Sequence, residues 1–138
     1  MTAVLTSRLN ESTDALLRFA MRADAVLTGL AGVAALPLVG WLAEVSGTTT
    51  TIEYGLAAFF IAYGVVVFGL SALPRVATAG IAVIAANLLY TVATIAIVVT
   101  DAWTLTTAGV VLTLATGVYT LVFAELQFMG LRRVRQSA

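Results

Sequence analysis

Four long apolar runs, none containing a charged residue, constrain this 138-residue chain more than any other feature. They are Ala25–Ala43, Tyr54–Leu73, Val76–Thr100 and Leu105–Ala124. Each is close to the roughly 20 residues that an α-helix needs to cross about 30 Å of hydrocarbon. Only 10% of the residues are charged, too few to keep the surface of a soluble domain wetted. The sequence therefore predicts an all-α membrane protein, a four-helix up-down-up-down transmembrane bundle.

The chain divides into three predicted parts. These are a cytoplasmic N-terminal segment (1–24) with a short amphipathic helix, a transmembrane domain (25–130) with helices at about 25–43, 54–73, 76–100 and 105–130, and a basic cytoplasmic tail (131–138). In the first part Asp14, Arg18 and Arg22 are spaced four residues apart, which favours a helix with ion pairs along one face. That helix either lies on anionic lipid headgroups or extends the first span, and the sequence leaves both open. Pro37 predicts a bend in the first transmembrane helix.

The charged side chains outside these runs are sorted by sign. With four spans, every arginine falls at one end of the bundle, which we call the basic end: Arg8, Arg18, Arg22, Arg75, Arg132, Arg133 and Arg135. The loops at the opposite, acidic end carry Glu44, Glu53 and Asp101. Basic loops stay in the cytoplasm during insertion. The pattern predicts a multi-pass protein of a bacterial cytoplasmic membrane with both termini cytoplasmic.

Small and polar residues recur every three or four positions on three of the predicted helices. The recurring positions are Ala25, Gly29, Gly32, Leu36 and Gly40 on the first, Gly80, Ile84, Asn87, Thr91 and Thr94 on the third, and Thr106, Gly109, Thr113, Gly117, Thr120, Ala124 and Gln127 on the fourth. Membrane helices use such faces to approach closely and to hydrogen-bond. The short connections also predict that the second, third and fourth helices are antiparallel neighbours.

Asn87 lies near the middle of the third apolar run. At 1.5 Å per residue from the cytoplasmic ends, it lies level with Tyr63 of the second helix and with Tyr119 or Thr120 of the fourth, and a count from the outer ends places it nearer Val67 and Thr116. We expect Asn87, Tyr63, Thr116 and Thr120 to form a polar cluster in which Asn87 bonds to one of the threonines. The cluster would fix which helix faces meet, or alternatively form a small pocket that binds a ligand or conducts an ion.

Two acids lie near the predicted ends of the helices. Asp24 is expected at the basic rim, where its carboxylate would cap the first helix. Glu125 is expected at the headgroup boundary, in an ion pair with Arg132, its neighbour Arg133, or Arg22. The alternative for Glu125 is a buried proton carrier.

Missing residue types narrow the chemistry. The chain has no histidine and no cysteine, so it lacks an imidazole base, a thiol nucleophile and the usual zinc ligands. We therefore expect no catalytic residue, no cofactor and no metal. The topology accounts for the arginines, so no nucleic-acid partner is expected.

Three further stretches of the chain are informative: "RADAVLTGLAG" (Arg22–Gly32), "AANLLYTVAT" (Ala85–Thr94) and "ELQFMGLRR" (Glu125–Arg133). They resemble a family of small four-span integral membrane proteins from actinobacteria that has no assigned activity. The resemblance implies the same topology and origin, and it carries no function to this chain.

Two functions remain open from the sequence. The first is a non-catalytic accessory, assembly or scaffold component that acts through helix–helix contacts. The alternative is a small dimeric transporter or channel for ions or small hydrophobic solutes. The expected partners are the lipid bilayer and a homodimer or larger membrane complex.

Overall fold

A computed structural model describes the backbone of residues 2–136 and the side chains of residues 13–136, and within these bounds every regular element is helical. The elements in chain order are α1 (Thr2–Ala35), a 3₁₀ turn (Leu36–Leu38), α2 (Val39–Ser46), α3 (Thr50–Leu70), α4 (Val76–Thr100) and α5 (Thr107–Gln136). Four stretches are long and apolar enough to cross a membrane: span 1 (Thr13–Ser46), span 2 (α3), span 3 (α4) and span 4 (α5). The predicted all-α four-helix bundle is confirmed.

Span 1 begins earlier than the sequence indicates. Helix α1 continues without a break through Asp24, and the side chains of Leu17, Ala20 and Met21 are buried inside the bundle. The N-terminal helix is thus an extension of span 1, and this face packs on protein rather than on lipid headgroups. Pro37 interrupts the span as predicted, within the 3₁₀ turn that separates α1 from α2.

Contacts between the spans are uneven. Span 1 packs along spans 2 and 4, and span 3 packs along span 4, whereas spans 2 and 3 barely touch. The short connection at Pro74 and Arg75 predicted that spans 2 and 3 are close neighbours, and this prediction is therefore wrong.

Glycines explain which pairs are close. A Cβ at Gly64 would lie 2.6 Å from the Ala25 carbonyl oxygen of span 1, and a Cβ at Gly117 would lie 2.3 Å from Thr94 Oγ1 of span 3. Between spans 2 and 3, by contrast, the rings of Phe60 and Tyr90 meet with their centroids 6.0 Å apart. Small residues allow close backbone approach, and large rings prevent it.

The apolar core lies at the basic end. Its buried members are Leu17, Met21, Ala25, Val67, Val76, Ala79, Val83 and Leu131, contributed by all four spans. This packing closes the bundle at the end where the arginines lie.

Hydrogen bonds of Arg18 allow the charged turn of α1 to pack beside this core. The Arg18 guanidinium donates to the carbonyl oxygens of Ser71 (2.8 Å), Leu73 (2.7 Å) and Pro74 (3.1 Å), just beyond the last turn of span 2. It also pairs with Asp14 at 3.0 Å. The carbonyls after a helix end have no intrahelical partner, and a cation there is favourable.

Candidate functional site

Asp24 is the centre of the polar interior. Its side chain is fully buried, and five neutral groups from all four spans surround the carboxylate. Oδ2 accepts hydrogen bonds from the Tyr63 hydroxyl (2.6 Å), Asn87 Nδ2 (3.0 Å) and Gln127 Nε2 (3.1 Å). Oδ1 accepts from the hydroxyls of Thr28 (3.0 Å) and Tyr119 (3.1 Å). At Oδ2 the two amide nitrogens can only donate, so this oxygen acts as an acceptor, whereas the hydroxyls at Oδ1 can donate or accept.

The side-chain amides of Asn87 and Gln127 orient each other. Asn87 Nδ2 also donates to Gln127 Oε1 at 2.9 Å, and both side chains are buried. Each amide nitrogen therefore faces Asp24, while the Gln127 oxygen is held by Asn87. Among the described side chains, no buried polar atom lacks a hydrogen-bond partner.

No cation neutralises this carboxylate within the described residues. The arginines nearest in sequence bond elsewhere, Arg18 to the carbonyls after span 2 and Arg22 Nε to Ser71 Oγ at 3.2 Å. The ion pair that the described side chains form is Asp14–Arg18. Asp24 is thus a buried carboxyl group whose hydrogen-bond partners among the described side chains are all neutral.

The carboxylate lies well inside the bundle. Tyr63 is seven residues from the basic end of span 2, and Asn87 is eleven residues from the basic end of span 3. At 1.5 Å per residue these positions are about 10 and 16 Å from the helix ends. A donor shell at this depth supplies the solvation that lipid cannot.

An inner cavity of about 280 Å³ adjoins the site on the side of the acidic end. Four of the five groups that donate to Asp24 also line it, namely Thr28, Tyr63, Asn87 and Tyr119. Asp24 itself does not line the cavity, so these side chains lie between the cavity and the carboxylate. The remaining wall is mainly apolar and aromatic, with Phe59 and Phe60 in it, and it also includes Thr116 and Thr120.

An outer cavity of about 220 Å³ extends toward the acidic end. Thr48, Glu53 and Trp103 line its far part. The two cavities share four lining residues, Phe60, Tyr90, Leu112 and Thr116. The shared residues lie between the two cavities, which are therefore adjacent.

The predicted polar cluster is brought together only in part. All four members, Asn87, Tyr63, Thr116 and Thr120, line the inner cavity. Asn87 does not bond to either threonine, however. Thr116 accepts from the Tyr90 hydroxyl at 3.1 Å, and Thr120 lies 2.7 Å from Thr91 Oγ1. The predicted Asn87–threonine bond is wrong because Asp24, a charged acceptor, lies at the level of Asn87.

Two of the predicted rim ion pairs of Glu125 are not formed, since within the described chain neither Arg22 nor Arg132 pairs with it. Asp24 is inside the bundle rather than at the rim, and the shift follows from the earlier start of span 1. Glu125 is exposed on the surface of the chain rather than buried inside the bundle.

The predicted polar cluster left out three members of the site: Thr28, Tyr119 and Gln127. A signal existed for each of them. Gln127 continues the small-and-polar face of span 4, which is buried at Gly117, Thr120 and Ala124, and Thr28 follows Asp24 by one helical turn. Tyr119 lies at the depth of Asn87 when residues are counted from the basic end.

Among the described residues, no group of three or more acidic side chains could hold a metal ion. Comparison of the chain with family models, with curated proteins and with solved structures gives no match in any of the three. The resemblance to the actinobacterial four-span family therefore stays a prediction.

Proposed function

We propose that this integral membrane protein binds a small positively charged solute and moves it through the bundle, with Asp24 as the charged group of the site. One observation carries the proposal. The Asp24 carboxylate is fully buried, has only neutral partners among the described side chains and lies behind the wall of a cavity.

A buried charge is a costly way to hold helices together. An acidic side chain at the centre of a membrane helix costs about 2.5–3.5 kcal/mol on insertion scales. Hydrogen bonds between neutral groups would join the same helices without that cost, and they contribute about 0.6 kcal/mol each on average. Ionisable residues within membrane spans mark ion and substrate pathways in known membrane proteins. The charge is therefore better explained by a ligand than by packing alone.

The cavities supply a route to that charge. The outer cavity lies beside Glu53 and Thr48 at the acidic end and borders the inner cavity at Phe60 and Tyr90. The core around Leu17, Met21 and Leu131 closes the opposite end. A solute that enters from the acidic end would reach the groups that hold Asp24 and stop there in this conformation.

The arrangement of the arginines supports a cytoplasmic basic end. We include in the proposal a bacterial cytoplasmic membrane with both termini cytoplasmic, so that the acidic end and its cavity face outward. The other function that the sequence predicts is an accessory or scaffold role. That role needs a well-packed interior and does not require a cavity beside a buried carboxyl group.

Solid-supported membrane electrophysiology on proteoliposomes tests the proposal. Concentration jumps of H⁺, Na⁺, K⁺ and benzyltrimethylammonium are applied in turn. We expect a transient current with at least one cation, lost in Asp24→Asn and kept in Gly69→Ala, where an added Cβ meets no atom within 4 Å. Absence of current for every cation with the unaltered, folded protein would contradict the proposal and favour the accessory role.

A further inference from the structure

The inner cavity has the surface expected of a site for an organic cation. Resting on the proposed function, we infer that its ligand is a small ammonium ion with an aromatic or alkyl body rather than an inorganic ion. The inference depends on three features of the cavity: its rings, its hydrogen-bonding groups and its size.

Aromatic rings dominate the wall. Phe59, Phe60, Tyr63, Tyr90 and Tyr119 all line the cavity. The ring centroids of Phe59 and Tyr63 are 6.3 Å apart, and those of Phe60 and Tyr90 are 6.0 Å apart. Ring faces attract cations through their quadrupole, and aromatic cages are a known means of binding quaternary ammonium groups. The first of these ring pairs lies within span 2. The second joins spans 2 and 3, which are the least tightly packed.

The hydrogen-bond donors that line the cavity are already used. The hydroxyls of Tyr63 and Tyr119 donate to Asp24, and that of Tyr90 donates to Thr116. Asn87 directs its amide group at Asp24 and Gln127. An anion or a sugar would therefore find few free donors, whereas an alkylated ammonium needs none.

Inorganic cations fit this surface poorly. Na⁺ and divalent cations require a set of oxygen ligands around the ion. Both Asp24 oxygens are already occupied by donors, and the cavity wall beside them is mainly carbon. A bulky organic cation instead keeps its charge within reach of the Asp24 field without direct contact with the carboxylate.

The cavity volume limits the ligand. At about 280 Å³ the space is at the lower limit of pockets that hold drug-sized molecules. A single ring with a methylated ammonium group matches this size, and benzyltrimethylammonium serves as the probe.

Isothermal titration calorimetry on the full chain in nanodiscs tests the inference, with empty nanodiscs as the blank. Three probes share one ring and differ in charge: benzyltrimethylammonium, benzyl alcohol and benzenesulfonate. We expect binding of the cation, at least about tenfold weaker binding of the neutral alcohol, and no binding of the sulfonate, since about 1.4 kcal/mol of charge recognition corresponds to tenfold. Equal binding of the alcohol and the cation would overturn the inference.

Variants separate the charge from the rings. Asp24→Asn is expected to weaken binding of the cation by about tenfold or more, and Phe60→Leu by about fivefold, within the range of one cation–π contact. Phe68→Leu removes an exposed ring from the same helix, outside the cavity, and should leave the affinity unchanged. If Asp24→Asn does not fold, the comparison of Phe60→Leu with Phe68→Leu still tests the inference. Equal affinity of these two variants would overturn the inference.

The electrophysiology distinguishes this inference from the proposed function. Current with H⁺, Na⁺ or K⁺, together with no calorimetric signal and no current for benzyltrimethylammonium, would support the function and refute the ligand class. Loss of all currents would refute the function itself.

Discussion

Gly64→Ala is the sharpest test of how the Asp24 site is held in place. Gly64 lies where span 2 crosses span 1, and a Cβ added there would be 2.6 Å from the Ala25 carbonyl oxygen and 2.9 Å from Gly29 Cα. Both neighbours are backbone atoms, which cannot rotate away. The two spans must therefore separate by about 0.8 Å to restore an ordinary contact, and overpacking of this kind costs about 1–3 kcal/mol.

The same movement would reach the polar site. Tyr63 precedes Gly64, and its hydroxyl donates to Asp24 Oδ2 at 2.6 Å. A separation of about 0.8 Å would stretch this bond beyond the usual range for hydroxyl donors. We expect Gly64→Ala to lose stability and also the Asp24-dependent current, although neither residue of the hydrogen bond is altered.

Unfolding in mixed micelles, titrated with sodium dodecyl sulfate and followed by circular dichroism, measures the loss of stability. Gly69→Ala is the matched control because it adds the same methyl group to the same helix in open space. We expect the free energy of unfolding to fall by about 1–3 kcal/mol for Gly64→Ala only. Equal stability of the two variants would show that spans 1 and 2 are not in close backbone contact at this level.

Three further results are expected. Asn87→Leu removes donors to Asp24 and Gln127 and should lower the free energy of unfolding by about 1–3 kcal/mol in the same titration, and an unchanged midpoint would contradict the hydrogen bonds described. Arg18→Ala frees three carbonyls after span 2 and should speed amide hydrogen exchange in the 71–75 connection, while equal rates would argue against the guanidinium contacts. Since the chain has no cysteine, Ala102→Cys and Ala72→Cys give clean reporters at the two ends; a membrane-impermeant maleimide on intact cells should label only Ala102→Cys, and the reverse pattern would refute the proposed orientation.

The sequence predicted the spans well because their physical requirement is simple. A charge-free run of about 20 residues has few alternatives to a membrane helix, and this fixed three of the four spans closely. The buried faces of spans 3 and 4 were also predictable. Asn87, Gly117 and Gln127 are buried as the spacing of small and polar residues indicates.

The centre of the site was misplaced for an equally physical reason. If a span is taken to end at its first charged residue, Asp24 falls at the rim. The helix nevertheless continues into the bundle, because the long side chains of Arg18 and Arg22 form their hydrogen bonds outside the core. Whether a charge lies at the rim depends on partners from other spans. Tyr63, Asn87 and Gln127 are 39, 63 and 103 residues away in the chain, beyond the reach of any local pattern.

The hydrogen bonds from Arg18 to the connection between spans 2 and 3 limit how the sequence of that connection can vary. The partners of Arg18 after Ser71 are the main-chain oxygens of Leu73 and Pro74, which every amino acid possesses. Replacing either side chain leaves the acceptors in place, so we expect substitutions there to be tolerated. Inserting or deleting one residue would instead carry the oxygens out of reach, which makes the length of this connection, and not its composition, the property that natural variation must preserve.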